Sequence, residues 1–228
     1  MTATVVVFTD GRRAYIEDTI DSFEANVTGT IGDRIIHDDS GDTANHCWLR
    51  QTFGDRGWRV IYHEHGRRGF GGAIINAWRH LADHASNDDR FVFHLEDDFT
   101  FNRPVDLDDL AGVLTAHPHL VQLALRRQPW NDAERAAGGV VEQHADDYTE
   151  HTDGVHAWLE HRLFFTTNPS LYRRGLVHQG WPTGDQSEGR FGLRLTASDP
   201  ALRFAFWGGR DSGEWVEHIG AERAGCGY

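Results

Sequence analysis

The sequence predicts an α/β protein: a mostly parallel central sheet flanked by helices, followed by a less regular second lobe. Three observations carry this. Over the first hundred residues, short apolar, β-branched runs alternate with segments whose apolar residues recur at helical spacing. The runs read as buried strands. A polar cluster follows each of the first four.

Thr4 to Phe8 is the first such run, and Asp10-Gly11 turns the chain after it. Ile16, Ile20 and Phe23 set a helix over Tyr15 to Ala25. Arg34 to His37 is a short second strand, closed by the polar loop Asp38-Asp39-Ser40-Gly41-Asp42. A helix over Thr43 to Phe53 leads to a third strand from Trp58 to His63. The glycine-rich stretch from Gly66 to Gly72 carries Arg67 and Arg68. It opens a helix striped by Ile74, Ala77, Trp78 and Leu81. The fourth strand begins at Phe91 and runs into three acids, Glu96, Asp97 and Asp98. A β-α-β-α-β-α-β order implies parallel strands joined by right-handed crossovers.

The second half predicts a helix over Leu107 to Ala116 and a strand over Leu120 to Leu125. Arg126 to Asp153 reads as a long loop over a site. A strand over Leu163 to Thr167 and a helix over Pro169 to His178 follow, the proline at an early helical position. Ser187 to Leu195 reads as helix, Phe204 to Trp207 as strand, and the chain from Gly208 as a tail rich in glycine and charge. No repeat or low-complexity linker divides the halves, so they are lobes of one body.

Charge narrows the function. The net charge of the 228 residues is -13, and all 22 basic residues are arginine. That acidity argues against non-specific binding to nucleic acid or anionic membranes. A phosphorylated ligand would need an offsetting charge, which a metal ion supplies. No apolar run approaches the roughly 20 residues of a membrane helix, so no membrane insertion is expected. The start, Met1-Thr2-Ala3-Thr4, lacks a signal core, which suggests an intracellular protein. Cys47 and Cys226 allow one disulfide and no disulfide scaffold, and the 15 histidines show no zinc spacing.

The acids after the fourth strand are the chemical centre. Strand alternation puts Glu96 and Asp98 on one side and Asp97 on the other. Two carboxylates at the C-terminal end of a strand suit a hard divalent cation, and ligands of open α/β sheets bind at that end. In a parallel sheet all four polar clusters gather along one edge: Thr9 to Arg12, Asp38 to Asp42, Arg67 to Gly69 and Glu96 to Asp98. Carboxylates for base and ribose, arginines for phosphate and acids for a metal make the inventory of a nucleotide-diphosphate site.

In this order these residues resemble the GT-A glycosyltransferases, and within them the family-two-like nucleotide-sugar transferases. The resemblance covers the first hundred residues and thins beyond. Thr9-Asp10-Gly11-Arg12 matches a Thr-Tyr-Asn-Arg-like turn. Asp38-Asp39-Ser40-Gly41-Asp42 matches Asp-Asp-Gly-Ser-x-Asp with glycine and serine exchanged and one residue lost. Arg68-Gly69 with Asn76 matches an Arg/Asn-x-Gly stretch and its downstream Asn. Glu96-Asp97-Asp98 stands for the Asp-x-Asp signature and departs from it at the first acid.

The resemblance implies a GT-A fold with a Rossmann-like sheet, residues 1–103 forming the nucleotide-sugar-binding lobe and 104–228 the acceptor-binding lobe of the same domain. It implies donor contacts from Thr9, Asp10, Arg12, Asp39, Arg68, Gly69, Glu96 and Asp97. Thr9 and Asp39 would hold the nucleoside, and Glu96 would lie near the ribose. Asp98 would ligate Mn²⁺ or Mg²⁺, joined by the late histidine of the family, matched by His218. The general base ahead of a second-half helix is matched first by Glu188 and second by Asp185, at a helix start where acids are also favoured by the dipole and by capping. Trp130, Trp158, Phe164, Phe165 and Trp181 lie in the half expected to meet the acceptor.

The expected activity is metal-dependent, inverting sugar transfer from a UDP-, GDP- or TDP-sugar to a hydroxyl on a protein, a glycan or a hypermodified DNA base. The alternatives are a nucleotidyltransferase that makes a nucleotide sugar, and a non-enzymatic carbohydrate- or metal-binding protein. Small size and arginine-only composition look like the stand-alone transferases of bacteriophages, which would act in the cytoplasm of a bacterial host.

Overall fold

A computed structural model describes residues 2–63, 66–84 and 89–220. The first half comprises β1 (Thr2–Thr9), α1 (Arg13–Asn26), β2 (Val27–Thr28), β3 (Ile31–Asp38), α2 (Thr43–Phe53), β4 (Arg59–Tyr62), α3 (Gly69–His84) and β5 (Asp89–Glu96). Strands β4, β3, β1 and β5 lie side by side in that order, all parallel. Their register levels the C-terminal ends: Phe8 pairs with Glu96, Thr9 with Asp38, and Asp38 with Tyr62. The polar loops therefore leave the sheet at one height.

The first strand shows why this half folds as it reads. Val5 and Val7 pack on one face with Ile16, Ile20 and Phe23 of α1. Val6 and Phe8 pack on the other with Ile74, Ala77, Trp78 and Leu81 of α3. An unbroken apolar run is what a strand between two helical layers requires. Asp42 starts α2, accepting the Ala44 N–H at 2.9 Å.

The second half adds β6 (Phe99–Phe101), β7 (Val105–Asp106), α4 (Leu107–Ala116), β8 (Leu120–Ala124), α5 (Asp132–Ala137) and α6 (Val140–Gln143). After them come β9 (Thr149–Thr152), β10 (Ala157–His161), β11 (Ser170–Arg173), α7 (Ser187–Ser198), β12 (Arg203–Trp207) and β13 (Val216–His218). One nine-stranded sheet runs through both halves in the order β4-β3-β1-β5-β11-β8-β12-β10-β9. Only β11 and β10 run against the common direction. Outside it, β6 and β13 pair antiparallel, with His218 opposite Phe99.

Four readings of the second half are corrected. Residues 163–167 are irregular, and the strand precedes them at β10; Phe165 is buried by side-chain packing against Tyr172, Trp181 and Phe191, which a run of apolar residues does not distinguish from a pleat. Residues 169–178 are β11 followed by a 3₁₀ turn over Arg174–Gln179. Pro169 stands just before the strand, where its missing N–H costs little, and Leu171 and Tyr172 fill the two opposite cores. The loop expected over residues 126–153 contains α5, α6 and β9, and the expected tail contains β13. Cys47 is exposed, and the one disulfide the sequence allows involves Cys226, which lies outside the described residues. Among the described residues no helix is long and apolar enough to cross a membrane.

Candidate active site

The loops after β1, β3 and β5 are tied together first by backbone. The Asp39 N–H donates to the Thr9 carbonyl at 2.8 Å, and the Asp97 N–H to the Phe8 carbonyl at 2.9 Å. Side chains then join them. The Thr9 hydroxyl donates to Asp97 Oδ2 at 2.7 Å. Arg12 bonds Asp10 at 2.9 Å and Asp98 at 2.7 Å, and also grips Asp97. Burial pushes the Asp97 carboxyl up to about 7, against the pull of Arg12 and Thr9. Burial also opposes ionisation of Asp98, but His218 and Arg12 outweigh it and hold that carboxyl below the usual range.

His218 Nε2 lies 3.3 Å from Asp98 Oδ2. Its ring lies between Phe99 and Trp130, at centroid distances of 4.6 and 4.5 Å. Gln128 fixes the backbone there, accepting the His218 N–H at 2.9 Å and donating to its carbonyl at 3.1 Å. The Ile219 N–H donates to the Asp98 carbonyl at 2.8 Å, which draws the late segment down onto the acids. Gly220 follows, and a Cβ there would stand 2.8 Å from Asp98 Cγ and 2.9 Å from its Cβ. Gly220→Ala is expected to shift the Asp98 carboxylate and lower turnover at least about tenfold, since small misplacements at reacting centres are costly. Steady-state kinetics with an unchanged melting temperature would show this; full activity would mean that the segment yields.

Asp98 and His218 are the residues that could hold a divalent cation here. Asp98 Oδ1 is buried without a hydrogen-bond partner, and so is His218 Nδ1. Among the described residues no three His, Cys, Asp or Glu groups are arranged to hold a metal ion. Magnesium-type ions often take only one or two carboxylates from the protein and complete their shell with phosphate and water.

Asp39 is 5% exposed and accepts the Arg68 N–H at 2.8 Å. Burial raises its pKa, and the Arg68 and Gly69 N–H groups oppose that rise. It thus holds the start of α3, a contact worth about 1 kcal/mol in typical caps. Gly69 has φ +71°, which suits glycine. The Arg68 guanidinium turns toward His63, and Arg67 bonds Asp10 at 2.7 Å. Thr9, Asp10, Arg12, Asp39, Arg68, Gly69 and the three acids are therefore gathered on one edge.

Beside the acids opens a cavity of about 370 Å³. Glu96, His218 and Glu188 all line it. Burial, and next Asp98, raise Glu96 to about 7. Glu188, in the first turn of α7, accepts the Thr167 N–H and, at 3.2 Å, its hydroxyl. Burial raises its pKa; the Thr167 N–H opposes this and the Glu96 charge adds to it. The Thr167 hydroxyl also lowers the Glu96 pKa, so its influence reaches both carboxylates. Asp185 is exposed and does not line the cavity. Trp130, Phe164 and Phe165 line it, whereas Trp158 and Trp181 are packed in the interior.

The lining residues that sequence reasoning missed include Thr167, Arg127 and Glu134. Glu134 carried a readable signal, since Asn131-x-x-Glu134 has capping-box spacing and Asn131 Oδ1 accepts the Glu134 N–H at 2.9 Å. Thr167 carried none.

No protein-family model and no curated protein matches the chain. Solved structures do. Staphylococcus aureus TarS (residues 1-349, in complex with UDP-GlcNAc) superposes with a TM-score of 0.63 at 16% identity, over 98% of this chain and 62% of that one. The mannosyltransferase PcManGT from Pyrobaculum calidifontis, in complex with GDP-Man and Mn²⁺, gives 0.57 at 16% identity, over 93% of this chain and 58% of that one. The chain thus spans about three fifths of the length of these structures. The fold is of the GT-A type found in glycosyltransferases.

Proposed function

We propose that this chain is a metal-dependent, inverting glycosyltransferase that moves a sugar from a UDP-, GDP- or TDP-sugar to an acceptor hydroxyl. Residues 1–103 bind the donor and 104–228 the acceptor. One observation supports this above the others: Asp98 with His218 at one side of the cavity, and Glu188, a carboxylate with a raised pKa, lining the same cavity. The GT-A neighbours, solved with UDP-GlcNAc and GDP-Man, lend weight to a nucleotide-sugar donor.

Thr9 and Asp39 face the nucleoside, Glu96 the ribose, and Asp10, Arg12, Arg68, Gly69 and Asp97 the rest of the donor. Asp98 and His218 hold the cation, which when bound offsets the charge that develops on the leaving diphosphate. Arg12, gripped by Asp10, Asp97 and Asp98, holds these acids in place. Glu188 takes the acceptor proton, its oxygen aimed by the Thr167 N–H and hydroxyl. Attack from that side, away from the diphosphate, inverts the anomeric centre.

The test is a thermal-shift matrix of nucleotide sugars with Mn²⁺ or Mg²⁺. Donor and metal together are expected to raise the melting temperature more than the sum of either alone, because each completes the other's site. Failure of every common nucleotide diphosphate to bind would overturn the proposal. The anomer released, read by NMR, tests inversion.

A further inference from the structure

Resting on that reading, we infer that the acceptor is the uncharged end of a glycan, and that the Glu134–Arg127 pair excludes anionic acceptors. The cavity is walled by aromatic rings, Phe99, Trp130, Phe164, Phe165 and Phe206. Such faces pack against the C–H face of a sugar. Its charged lining comprises three glutamates, Glu96, Glu134 and Glu188, and one arginine, Arg127.

The charge of Arg127 is already matched. Its guanidinium makes a two-pronged bond to Glu134, at 2.7 and 3.2 Å, and a further bond to the Gln128 carbonyl at 2.8 Å. Glu134 is 5% exposed, accepts the Trp130 N–H at 2.7 Å, and is held below the usual carboxylate range despite its burial, chiefly by Arg127. The pair also closes the start of α5, where Glu134 bonds Asn131 and the Trp130 N–H. An anionic acceptor entering here meets a net negative wall with no uncompensated cation. A phosphate polymer or nucleic acid needs the opposite, clustered arginines, and this lining offers one. A neutral sugar loses nothing by this arrangement and gains the ring faces.

The experiment measures nucleotide release from the donor, with metal, in the presence of methyl glycosides and of their monophosphate esters. Basal donor hydrolysis without acceptor reports the proposed activity itself, so its presence separates failure of this inference from failure of that reading. At least one neutral glycoside is expected to stimulate release at least about tenfold more than its phosphate ester. Equal or greater response to the esters, or no response to any neutral glycoside, overturns the inference. Glu134→Gln keeps the shape and an accepting oxygen but uncovers the arginine, and it is expected to narrow the discrimination at least about tenfold. Unchanged discrimination in that variant removes Glu134 from the assignment. Should Glu134→Gln fail to fold, Arg127→Gln decides: discrimination is expected to persist or widen, and its collapse would mean that Arg127 recognises an anion.

Discussion

Asp98→Ala is expected to lower nucleotide-sugar turnover about 10²–10³-fold, the usual cost of removing one group that stabilises transition-state charge. The fold should survive. Arg12 keeps Asp97 and Asp10 as partners, so no cation is stranded by the change. His218 keeps its place between Phe99 and Trp130. The measurement is donor hydrolysis against metal concentration, with a melting curve as control. The variant should also lose the extra stabilisation that metal and donor give together. Turnover within tenfold of wild type, or restored simply by more metal, would show that Asp98 is not the group gripping the cation.

The second large effect belongs to Glu188. Glu188→Gln is expected to lower transfer about 10²–10⁴-fold, the range for loss of a general base, with donor KM little changed. Glutamine retains an oxygen for the Thr167 N–H and hydroxyl, so the local structure should hold. Because burial raises the Glu188 pKa, wild-type rate should fall with acidity at a pH above the usual glutamate range, and the variant should lack that limb. The sign for stability follows from linkage. A carboxyl whose folded pKa is raised is harmless while protonated and costs stability as pH rises through its ordinary and then its folded value. The variant should therefore match wild type in acid and exceed it near neutrality. Equal melting temperatures at both pH values would mean that Glu188 is not desolvated in solution.

Much of this site was readable before any coordinates. The strands β1, β3 and β5 and the helices α1 and α3 carry clear patterns because each buries apolar residues against a sheet or helix layer. A parallel sheet then aligns its strand ends, which is why residues as distant as Thr9 and Asp97 could be expected side by side and are joined by a hydrogen bond of 2.7 Å. The later half was less legible for a physical reason. Its strands are short, β11 is inserted between β5 and β8, and the cavity wall at residues 163–167 is apolar without being regular. Periodicity reports a residue's own element, not the neighbour that an irregular segment packs against.

Local pattern was therefore enough for the α/β class, the succession of the first four strands along the chain, and the gathering of their loops around Glu96, Asp97 and Asp98. His218 and Glu188 came from the family resemblance and not from local pattern. Only long-range packing decided which acids face the cavity. Glu188 opens on it and Asp185 does not. Asp39 serves the start of α3. Gly220 leaves the room that Asp98 occupies, and Glu134 neutralises Arg127. Each of these depends on the distance between side chains far apart in the chain or turned by a loop, and no composition, spacing or period encodes that distance.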